Sequence, residues 1–402
     1  MAVQLPDDVV ERGNGKIVFL ILDGLGGLPH PDTGKTELET ANTPNLDRLA
    51  RTSAVGLAEP VLPGIAPGSG PGHLALFGYD PIRWNIGRGV LSALGVDFEL
   101  REGDVAARLN FTTVDASGNI VDRRAGRPSD AENRRLVEKL RAGVRAPDGV
   151  EVFFEPEKEH RLVLVFRGSG LSEAVSDSDP QETGVPPLRL QALAPGAERT
   201  VQVAQDVLDQ CQSVLRGEDR ANGVVARGFA QYRRYPTIED RYSMRALAIA
   251  RYPMYRGVAR LLGMELQPVP ASDEGSIDAL EARFEEFDFF FIHVKTPDAR
   301  GEDGDFEGKA RAIEAVDALI PRIEALKPAV LLVTGDHSTP ATFRAHSWHP
   351  VPLLLSSKWV RTAPVSGFGE RECLKGELGI VSSKHLMSLA LAHAGRLSKY
   401  GA

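Results

Sequence analysis

The sequence predicts an α/β protein with a mostly parallel sheet flanked by helices and a second, α+β domain inserted into it. Three apolar runs are typical of buried parallel strands, and each delivers a carboxylate at its end: 17–22 before Asp23, 289–294 before Asp298 and 330–334 before Asp336. Helical patterns accompany such runs up to about residue 102 and again from about residue 244. The segment between them alternates polar and apolar residues, which indicates an antiparallel unit.

The first helices are predicted from their start signals. Thr43 is a suitable N-cap, and Pro44 stands at the first helical position of an apolar-periodic segment. A second short helix should follow a loop rich in Gly and Pro and end near Gly78. Ser69 then lies close to the N-terminus of that helix, where free backbone N–H groups favour an anion.

The inserted unit is predicted from about residue 103. A hairpin pairs strand 105–114 with 120–123 through the turn 115–119, and a helix covers 130–142. Strands at 150–154 and 161–166, an irregular stretch at 176–187 and a helix at 199–216 complete it. The expected division is therefore a discontinuous catalytic domain, 1–102 and 236–402, interrupted by a cap domain at 103–235, with a closing helix at 384–394.

Length and composition fit two soluble domains. The chain has 402 residues, of which 42% are hydrophobic and 25% charged, with a net charge of −8. This acidic balance argues against nucleic acid held on a nonspecific basic surface, although a local arginine cluster could still bind a small anion. The first 15 residues do not resemble a signal peptide, and no apolar run is long enough to span a membrane. We therefore expect a cytoplasmic protein with neither membrane nor nucleic-acid partners, a monomer or a small homo-oligomer.

Two cysteines are too few for a disulfide framework or a thiolate metal site. Cys211 and Cys373 are not spaced as CxxC, so both are expected to be small buried side chains.

A set of carboxylates, imidazoles and one serine could form a two-metal site. Such ligands without thiolates suit Mn²⁺, Mg²⁺ or Zn²⁺, and seven are too many for one tetrahedral ion. A serine beside two cations can ionise and act as a covalent nucleophile. Each residue alone could equally be a turn or cap residue, and His349 competes with its neighbour at 346. The candidates in chain order are Asp23, Ser69, Asp298, Glu302, Asp336, His337 and His346.

Short motifs around these residues give the chain a resemblance to a known family. The segments 22–24, 67–73, 297–298, 334–338 and 346–352 are similar to those of the alkaline phosphatase superfamily. The segments 41–47, 78–81, 87–89, 122–127, 171–180 and 353–355 resemble, more closely, the archaeal-type branch of the cofactor-independent phosphoglycerate mutases. The resemblance covers nearly the whole chain and implies an alkaline-phosphatase-like metal domain with a substrate-binding cap.

The resemblance also implies how the site works. Asp23, Ser69, Asp336 and His337 would hold one divalent ion, and Asp298, residue 302 and His346 the other. Mn²⁺ is the first choice, with Mg²⁺, Co²⁺ and Zn²⁺ as alternatives. Ser69 would take the phosphoryl group as a phosphoserine and return it to the neighbouring hydroxyl, interconverting 3-phosphoglycerate and 2-phosphoglycerate without 2,3-bisphosphoglycerate, a step of glycolysis and gluconeogenesis.

Two positions depart from the family pattern. Position 302 is usually His and is Glu302 here, with Asp303 as a rival ligand; a carboxylate should shift the preference from Zn²⁺ towards Mn²⁺ or Mg²⁺. Position 70 is often Asp in the archaeal-type branch and is Gly70 here, which puts one contact in doubt.

Arginines of the cap are candidates for binding a phosphate and a carboxylate, because the guanidinium fork matches both groups. Asp177 and Asp179 could orient these arginines or contact substrate hydroxyls, and Lys295 could reach the transferring phosphoryl group. Arg123 is instead expected to pair with an acidic side chain. The candidate arginines are Arg88, which we also expect to take part in catalysis, Arg124, Arg127 and Arg161.

Other functions remain open on the same residues. Water could resolve the phosphoserine, which would make the protein a metal-dependent phosphatase or phosphonate hydrolase, and a homoserine-kinase-like paralogue is a further alternative. A non-enzymatic binding protein would not need the serine together with the full metal set.

Overall fold

A computed structural model describes residues 9–84 and 86–401. The chain divides into two compact units, Met1–Asn85 with Pro236–Ala402, and Ile86–Tyr235. The first unit contains a mostly parallel sheet and the second an antiparallel sheet, which confirms the predicted α/β fold with an α+β insertion.

The sheet of the first unit has eight strands in the order β13-β2-β12-β11-β1-β10-β8-β9. Only β12 runs antiparallel to its neighbours β11 and β2; the other pairs are parallel. The strands are β1 (Ile17–Leu22), β2 (Ala54–Glu59), β8 (Ala246–Ile249), β9 (Glu265–Leu266), β10 (Phe289–Val294), β11 (Val330–Thr334), β12 (Val351–Ser356) and β13 (Gly379–Ser382).

Helices surround this sheet. They are α1 (Glu37–Thr40), α2 (Pro44–Ala50), α3 (Ser69–Leu76), α7 (Ile238–Tyr242), α8 (Pro253–Leu261), α9 (Asp273–Arg283), α10 (Thr296–Asp303), α11 (Phe306–Asp317), α12 (Ile320–Ala325), α13 (Glu370–Cys373) and α14 (Leu386–His393), the last preceded by a 3₁₀ turn at Ser383–His385. The predicted helix start at Pro44 is confirmed, although the Thr43 side chain makes no capping hydrogen bond.

The central strands are buried on both faces. Every residue of β1, β10 and β11 is buried, as expected for apolar runs covered by helices on each side. An open sheet of this kind carries most of its polar chemistry in the residues that follow the carboxyl ends of its strands.

The second unit is an antiparallel sheet packed against helices. β3 lies between β6 and β7, while β4 pairs with the end of β3 and β5 with β6. Alternate residues of β3 face the core that α5 and α6 complete. The elements are α4 (Arg88–Gly95), β3 (Val105–Val114), β4 (Ile120–Asp122), α5 (Asp130–Gly143), β5 (Glu151–Pro156), β6 (Arg161–Arg167), α6 (Glu198–Leu215) and β7 (Gly223–Gln231).

Two features of the second unit differ from the sequence prediction. The first boundary lies at Asn85/Ile86 rather than at 102/103, because α4 packs closely on β3: a Cβ on Gly89 would lie 2.0 Å from the carbonyl oxygen of Ala106. The strand β7 was not predicted, since Gly228, with a φ of +64°, interrupts its pattern. The second boundary lies at 235/236 in both divisions.

The predictions for the cysteines and for membrane spans can be compared directly. Cys211 and Cys373 are both free and buried, and burial raises the pKa of each thiol, that of Cys373 to about 12. Among the described residues, no helix combines the length and the apolar character that crossing a bilayer requires.

Candidate active site

Three neighbouring strands bring the candidate residues to one edge of the sheet. β1 lies between β10 and β11, and the ends of the strands are in register, with Leu22 opposite Val294 and Ile21 opposite Thr334. Because all three strands run in the same direction, the residues that follow them emerge side by side. Asp23, Lys295 and Asp336 therefore leave the sheet at the same edge.

The first cluster at this edge consists of Asp23, Asp336, His337 and Ser69. One ligand atom each from Asp23, Asp336 and His337 lies within 4.8 Å of the others, and all three side chains are buried. His337 Nε2 is 3.3 Å from Asp23 Oδ1, 3.1 Å from Asp336 Oδ2 and 3.4 Å from Ser69 Oγ. Ser69 is the first residue of α3, so its hydroxyl stands at a helix N-terminus as predicted.

The second cluster consists of Asp298, His346 and Glu302, with His337 between the two clusters. Ligand atoms of Asp298, His337 and His346 also lie within 4.8 Å of one another. His346 Nε2 is 3.6 Å from Asp298 Oδ1 and 3.8 Å from Glu302 Oε1. Asp298 and Glu302 share one face of α10 because they are four residues apart.

The rival ligands do not join these clusters. Among the described residues Asp303 has no ion pair with His346, and it lines a cleft together with Arg251, Arg300 and Lys295. His349 Nδ1 is 3.1 Å from Ser347 Oγ, and its ring stacks on Trp348. The geometry therefore favours Glu302 and His346 over their sequence neighbours.

Hydrogen bonds orient the two imidazoles so that Nε2 faces the carboxylates. His346 Nδ1 lies 2.9 Å from the carbonyl oxygen of Pro67, which can only accept, so Nδ1 carries a proton. Thr339 Oγ1 donates to Asp298 Oδ1 at 2.6 Å and thus accepts from His337 Nδ1 at 3.0 Å. In each ring Nε2 is the nitrogen left to bind a metal ion.

Glycines permit this close packing. Gly24, with a φ of +65°, follows Asp23, and a Cβ there would lie 2.6 Å from Thr339 Oγ1 and 2.9 Å from Asp298 Cα. A Cβ on Gly301 would lie 2.1 Å from the Thr339 carbonyl oxygen. Larger residues at either position would separate the ligand-bearing segments.

Positive groups balance part of the negative charge. Lys295 Nζ lies 3.1 Å from Asp23 Oδ2 and also pairs with Asp298; burial alone would lower the pKa of Lys295, but these carboxylates raise it. Burial raises the pKa of Asp336, but the His337 and His73 imidazoles outweigh it and hold that pKa well below its ordinary value. The pKa of His337 is raised to about 9, since Asp336 and the other carboxylates outweigh burial.

Buried carboxylate oxygens without hydrogen-bond partners indicate that the residues suit a cation. Among the described residues, neither oxygen of Asp23 has a hydrogen bond, nor does Asp336 Oδ2. His293 Nε2 lies 3.2 Å from Asp23 Oδ2, within ion-pair distance but outside hydrogen-bond geometry. Lys295 offsets only part of this buried negative charge, so the donor set also suits a hard divalent ion.

The second unit contains a cluster of arginines that lie near one another. Arg108 of β3 is directly opposite Arg227 of β7, and Arg161 of β6 is opposite Asn110. Burial and the nearby Arg88 guanidinium lower the pKa of Arg108 to about 10, and its Nε has no hydrogen-bond partner among the described residues. Like charges facing each other across strands are destabilising without an anion. We call Arg88, Arg108, Arg124, Arg127, Arg161 and Arg227 the arginine cluster.

His160 connects the remaining arginines to this cluster. It is buried, and burial together with Arg161, Arg124, Arg108 and Arg127 lowers its pKa to about 4. Its imidazole is therefore neutral at physiological pH and adds a polar, uncharged group among the arginines.

The two candidate carboxylates of the second unit bind protein groups. Asp179 is buried and accepts two hydrogen bonds from Arg123, at 3.2 and 2.8 Å, so Arg123 pairs with an acidic side chain as predicted. Asp177 Oδ1 accepts from the Gly228 backbone, and Arg227 lies 3.6 Å from each of the two aspartates. Both aspartates thus orient Arg227 and the strand that carries it.

Several residues near the site were not singled out from the sequence. His73 and His293 are buried beside Asp336 and Asp23, and Tyr255 stacks on His293 with its hydroxyl 3.1 Å from Lys295 Nζ. His293 had a signal, since an imidazole in an apolar strand two residues before Lys295 is unusual. Thr339 and Arg227 had none, because their roles depend on loop packing and strand register.

Glu370 of α13 fixes the loop that follows Asp23. Its carboxylate accepts from Gly27 N at 2.9 Å and from Thr36 Oγ1 at 2.6 Å. Burial raises the pKa of Glu370 to about 7, since the two hydrogen bonds only partly offset it and Glu39 adds a like charge. Glu370 is therefore protonated in the folded protein up to a higher pH than an ordinary glutamate.

This shift predicts a pH-dependent stability. Because the folded pKa exceeds the ordinary value, the stabilisation is complete below about pH 4.5 and is lost as the pH rises through about 7. Glu370→Gln should therefore be as stable as the wild type at pH 5. At pH 8 its free energy of unfolding should exceed that of the wild type by roughly 1–3 kcal/mol, so it should unfold at a higher urea concentration. Glu372→Gln on the same helix is the control, because Lys375 lowers the pKa of that carboxyl and the variant should gain nothing at pH 8. Urea titrations at both pH values measure the difference; equal midpoints at pH 8 would contradict it.

The chain is similar in sequence and in fold to proteins of one family. The sequence model of the 2,3-bisphosphoglycerate-independent phosphoglycerate mutases matches residues 50–220. A Thermus thermophilus protein named probable 2,3-bisphosphoglycerate-independent phosphoglycerate mutase is 52% identical over 398 residues, covering 98% of each chain. A Thermotoga neapolitana protein of the same name is 49% identical over 395 residues, again covering 98% of each chain.

Solved structures are similar over nearly the whole chain. A protein from Pyrococcus horikoshii aligns with a TM-score of 0.83 and 28% identity, covering 98% of this chain and 100% of that one. The cofactor-independent phosphoglycerate mutase from Thermoplasma acidophilum aligns with a TM-score of 0.73 and 28% identity, covering 95% and 100%.

Proposed function

Since the chain belongs to the 2,3-bisphosphoglycerate-independent phosphoglycerate mutase family, we propose that it interconverts 3-phosphoglycerate and 2-phosphoglycerate through a phosphoserine at Ser69. The proposal depends on one observation above the others. A serine at a helix N-terminus lies against His337, beside buried carboxylate oxygens that have no hydrogen-bond partner among the described residues. A nucleophile next to an incomplete cation site is the arrangement that metal-assisted phosphoryl transfer requires.

Two divalent ions fit the donor set. Asp23, Asp336 and His337, with Ser69, would hold one, and Asp298, Glu302 and His346 the other. Bound there, the ions would favour the ionised serine and offset charge on the phosphoryl oxygens. Mn²⁺ or Mg²⁺ suits these oxygen-rich ligands better than Zn²⁺, because each of the two groups contains two carboxylates, the fourth being Glu302.

The chain's own residues perform the transfer. Ser69 Oγ attacks the substrate phosphorus, the bond to the glycerate oxygen breaks, and the phosphoryl group moves to the serine. Lys295, held by Asp23 and Asp298, is placed to neutralise a phosphoryl oxygen. The glycerate then presents its other hydroxyl, the phosphoserine bond breaks, and Ser69 is restored.

The arginine cluster is proposed to bind the glycerate between the two transfers. Arg88, Arg124, Arg127 and Arg161 supply forks for a carboxylate and a phosphate. Arg108 and Arg227 add positive charge, and the Nε of each has no hydrogen-bond partner among the described residues. Retention of the glycerate is what separates a mutase from a hydrolase, since attack of water on the phosphoserine would yield inorganic phosphate.

A coupled assay tests the proposal. Protein with Mn²⁺ and 3-phosphoglycerate, coupled to enolase without added 2,3-bisphosphoglycerate, should produce phosphoenolpyruvate. Release of inorganic phosphate without phosphoenolpyruvate would support the metal-dependent phosphatase instead. Transfer to homoserine from a nucleotide would support the kinase-like alternative.

Glu302 sets an expectation for metal preference. Glu302→His replaces a hard oxygen ligand beside His346 by an imidazole, so the ratio of Zn²⁺ to Mn²⁺ affinity should rise by about 10-fold or more. Competition titration with a chromophoric chelator measures both affinities. Asp303→His is the matched control, because among the described residues Asp303, unlike Glu302, has no ion pair with His346, and its ratio should stay at the wild-type value. An unchanged ratio in Glu302→His would show that residue 302 does not bind the ion.

A further inference from the structure

Lys309 is a buried cation that the proposed chemistry does not use. It lies on α11 and is 0% exposed. Its Nζ donates to the Gly26 carbonyl at 3.0 Å and to the Thr339 carbonyl at 2.9 Å, and Glu37 Oε1 is 4.0 Å away. Burial of an ammonium costs free energy, so the contacts that Lys309 makes must compensate for that cost.

The two carbonyls belong to the loops that carry metal-site residues. Gly26 lies in the loop that begins with Asp23, and Thr339 follows Asp336 and His337 directly. Thr339 also contacts Asp298 and His337 through its hydroxyl. Since α11 packs against α10, which carries Asp298, Lys309 is connected to all three ligand-bearing segments.

Glu37 completes this internal arrangement. Its side chain is buried, and Oε1 accepts from Ala341 N at 2.6 Å, two residues beyond Thr339. Glu37 therefore holds the loop after β11 from the same side as Lys309 and supplies the balancing charge.

We propose that Lys309 is a positioning residue for metal binding: its ammonium holds the loops after β1 and β11 at the spacing that the ions require. The inference rests on the proposed metal site. Lys309 touches neither the ligand atoms nor the solvent, so it acts only through Gly26 and Thr339. Loss of such an outer contact reduces metal affinity while the ligands themselves stay intact.

The test replaces both charges together, because removal of one would leave the other buried and unpaired. Lys309→Met with Glu37→Gln should fold, as judged by circular dichroism, but bind Mn²⁺ about 10–100-fold more weakly in isothermal titration. Lys309→Gln with Glu37→Gln keeps an amide donor at position 309 and should recover part of the affinity. This second pair decides the question if the first does not fold.

Lys16 provides a matched control. Its Nζ also donates to a backbone carbonyl, that of Phe287 at 3.0 Å, and lies 3.6 Å from Glu285, but at the amino end of β1. Lys16→Met should bind Mn²⁺ as the wild type does. Wild-type affinity in a folded Lys309 variant would overturn the role of Lys309, whereas no Mn²⁺ binding by the wild type would overturn the metal site on which it rests.

Discussion

Replacement of Ser69 by alanine is expected to abolish mutase activity, with kcat falling by at least about 10⁴-fold. The serine is the only proposed acceptor for the phosphoryl group, and loss of a covalent nucleophile removes the whole pathway rather than one contact. The coupled enolase assay measures the rate. Intact-mass analysis after quenching should detect one added phosphoryl group on the wild type and none on the variant.

Metal binding separates this result from a general disruption of the site. Asp23, Asp336 and His337 remain in Ser69→Ala, so Mn²⁺ should still bind to the variant. Ser53→Ala is the control, because Ser53 is also buried in the first unit and its Oγ has no hydrogen-bond partner among the described residues. It should keep wild-type activity. Turnover by Ser69→Ala within 10-fold of the wild type would rule out the phosphoserine route.

The shared edge at which Asp23 and Asp336 lie could be predicted because the sheet dictates where they lie. Asp23 and Asp336 follow buried runs whose period and length indicate parallel strands, and adjacent parallel strands end at one edge. Helical spacing favours Glu302 over Asp303, since it is Glu302 that lies four residues after Asp298. The edge position of Asp23 and Asp336 needs only local sequence and the rule for strand direction, whereas the choice of position 302 depends on the family resemblance.

The supporting residues could not be predicted, because they depend on contacts between distant segments. Lys309 is an ordinary helical lysine until α11 packs beneath the loops after β1 and β11. Arg108 and Arg227 face each other only because of the register of β3 with β7. The sequence does not predict β7, because Gly228 interrupts its strand pattern. The first boundary of the second unit differs from the predicted 102/103 for the same reason, since α4 joins that unit by its packing rather than by its composition.

Replacement of Asp23 by asparagine should remove the ion next to the serine. Asparagine has the same shape but no charge, so its carbonyl oxygen is a much weaker ligand to a hard divalent cation than a carboxylate is. Loss of an outer contact costs about 10–100-fold in metal affinity, so loss of a ligand should cost at least about 100-fold. The rate in the coupled assay should fall by at least about 10³-fold, because Ser69 would lose the group that activates it.

Thermal unfolding shows whether this loss is one of metal binding. Mn²⁺ at 100 times its Kd stabilises a protein by about 2.7 kcal/mol, so the wild-type Tm should rise on addition of Mn²⁺ and return with EDTA. Asp23→Asn should lose most of that rise. Asp288→Asn should keep it, because Asp288 pairs with Arg396 just before β10, at the opposite edge of the sheet. If Mn²⁺ raised the Tm of Asp23→Asn as much as that of the wild type, the carboxylate of Asp23 would not bind the ion. The serine would then need another activating group.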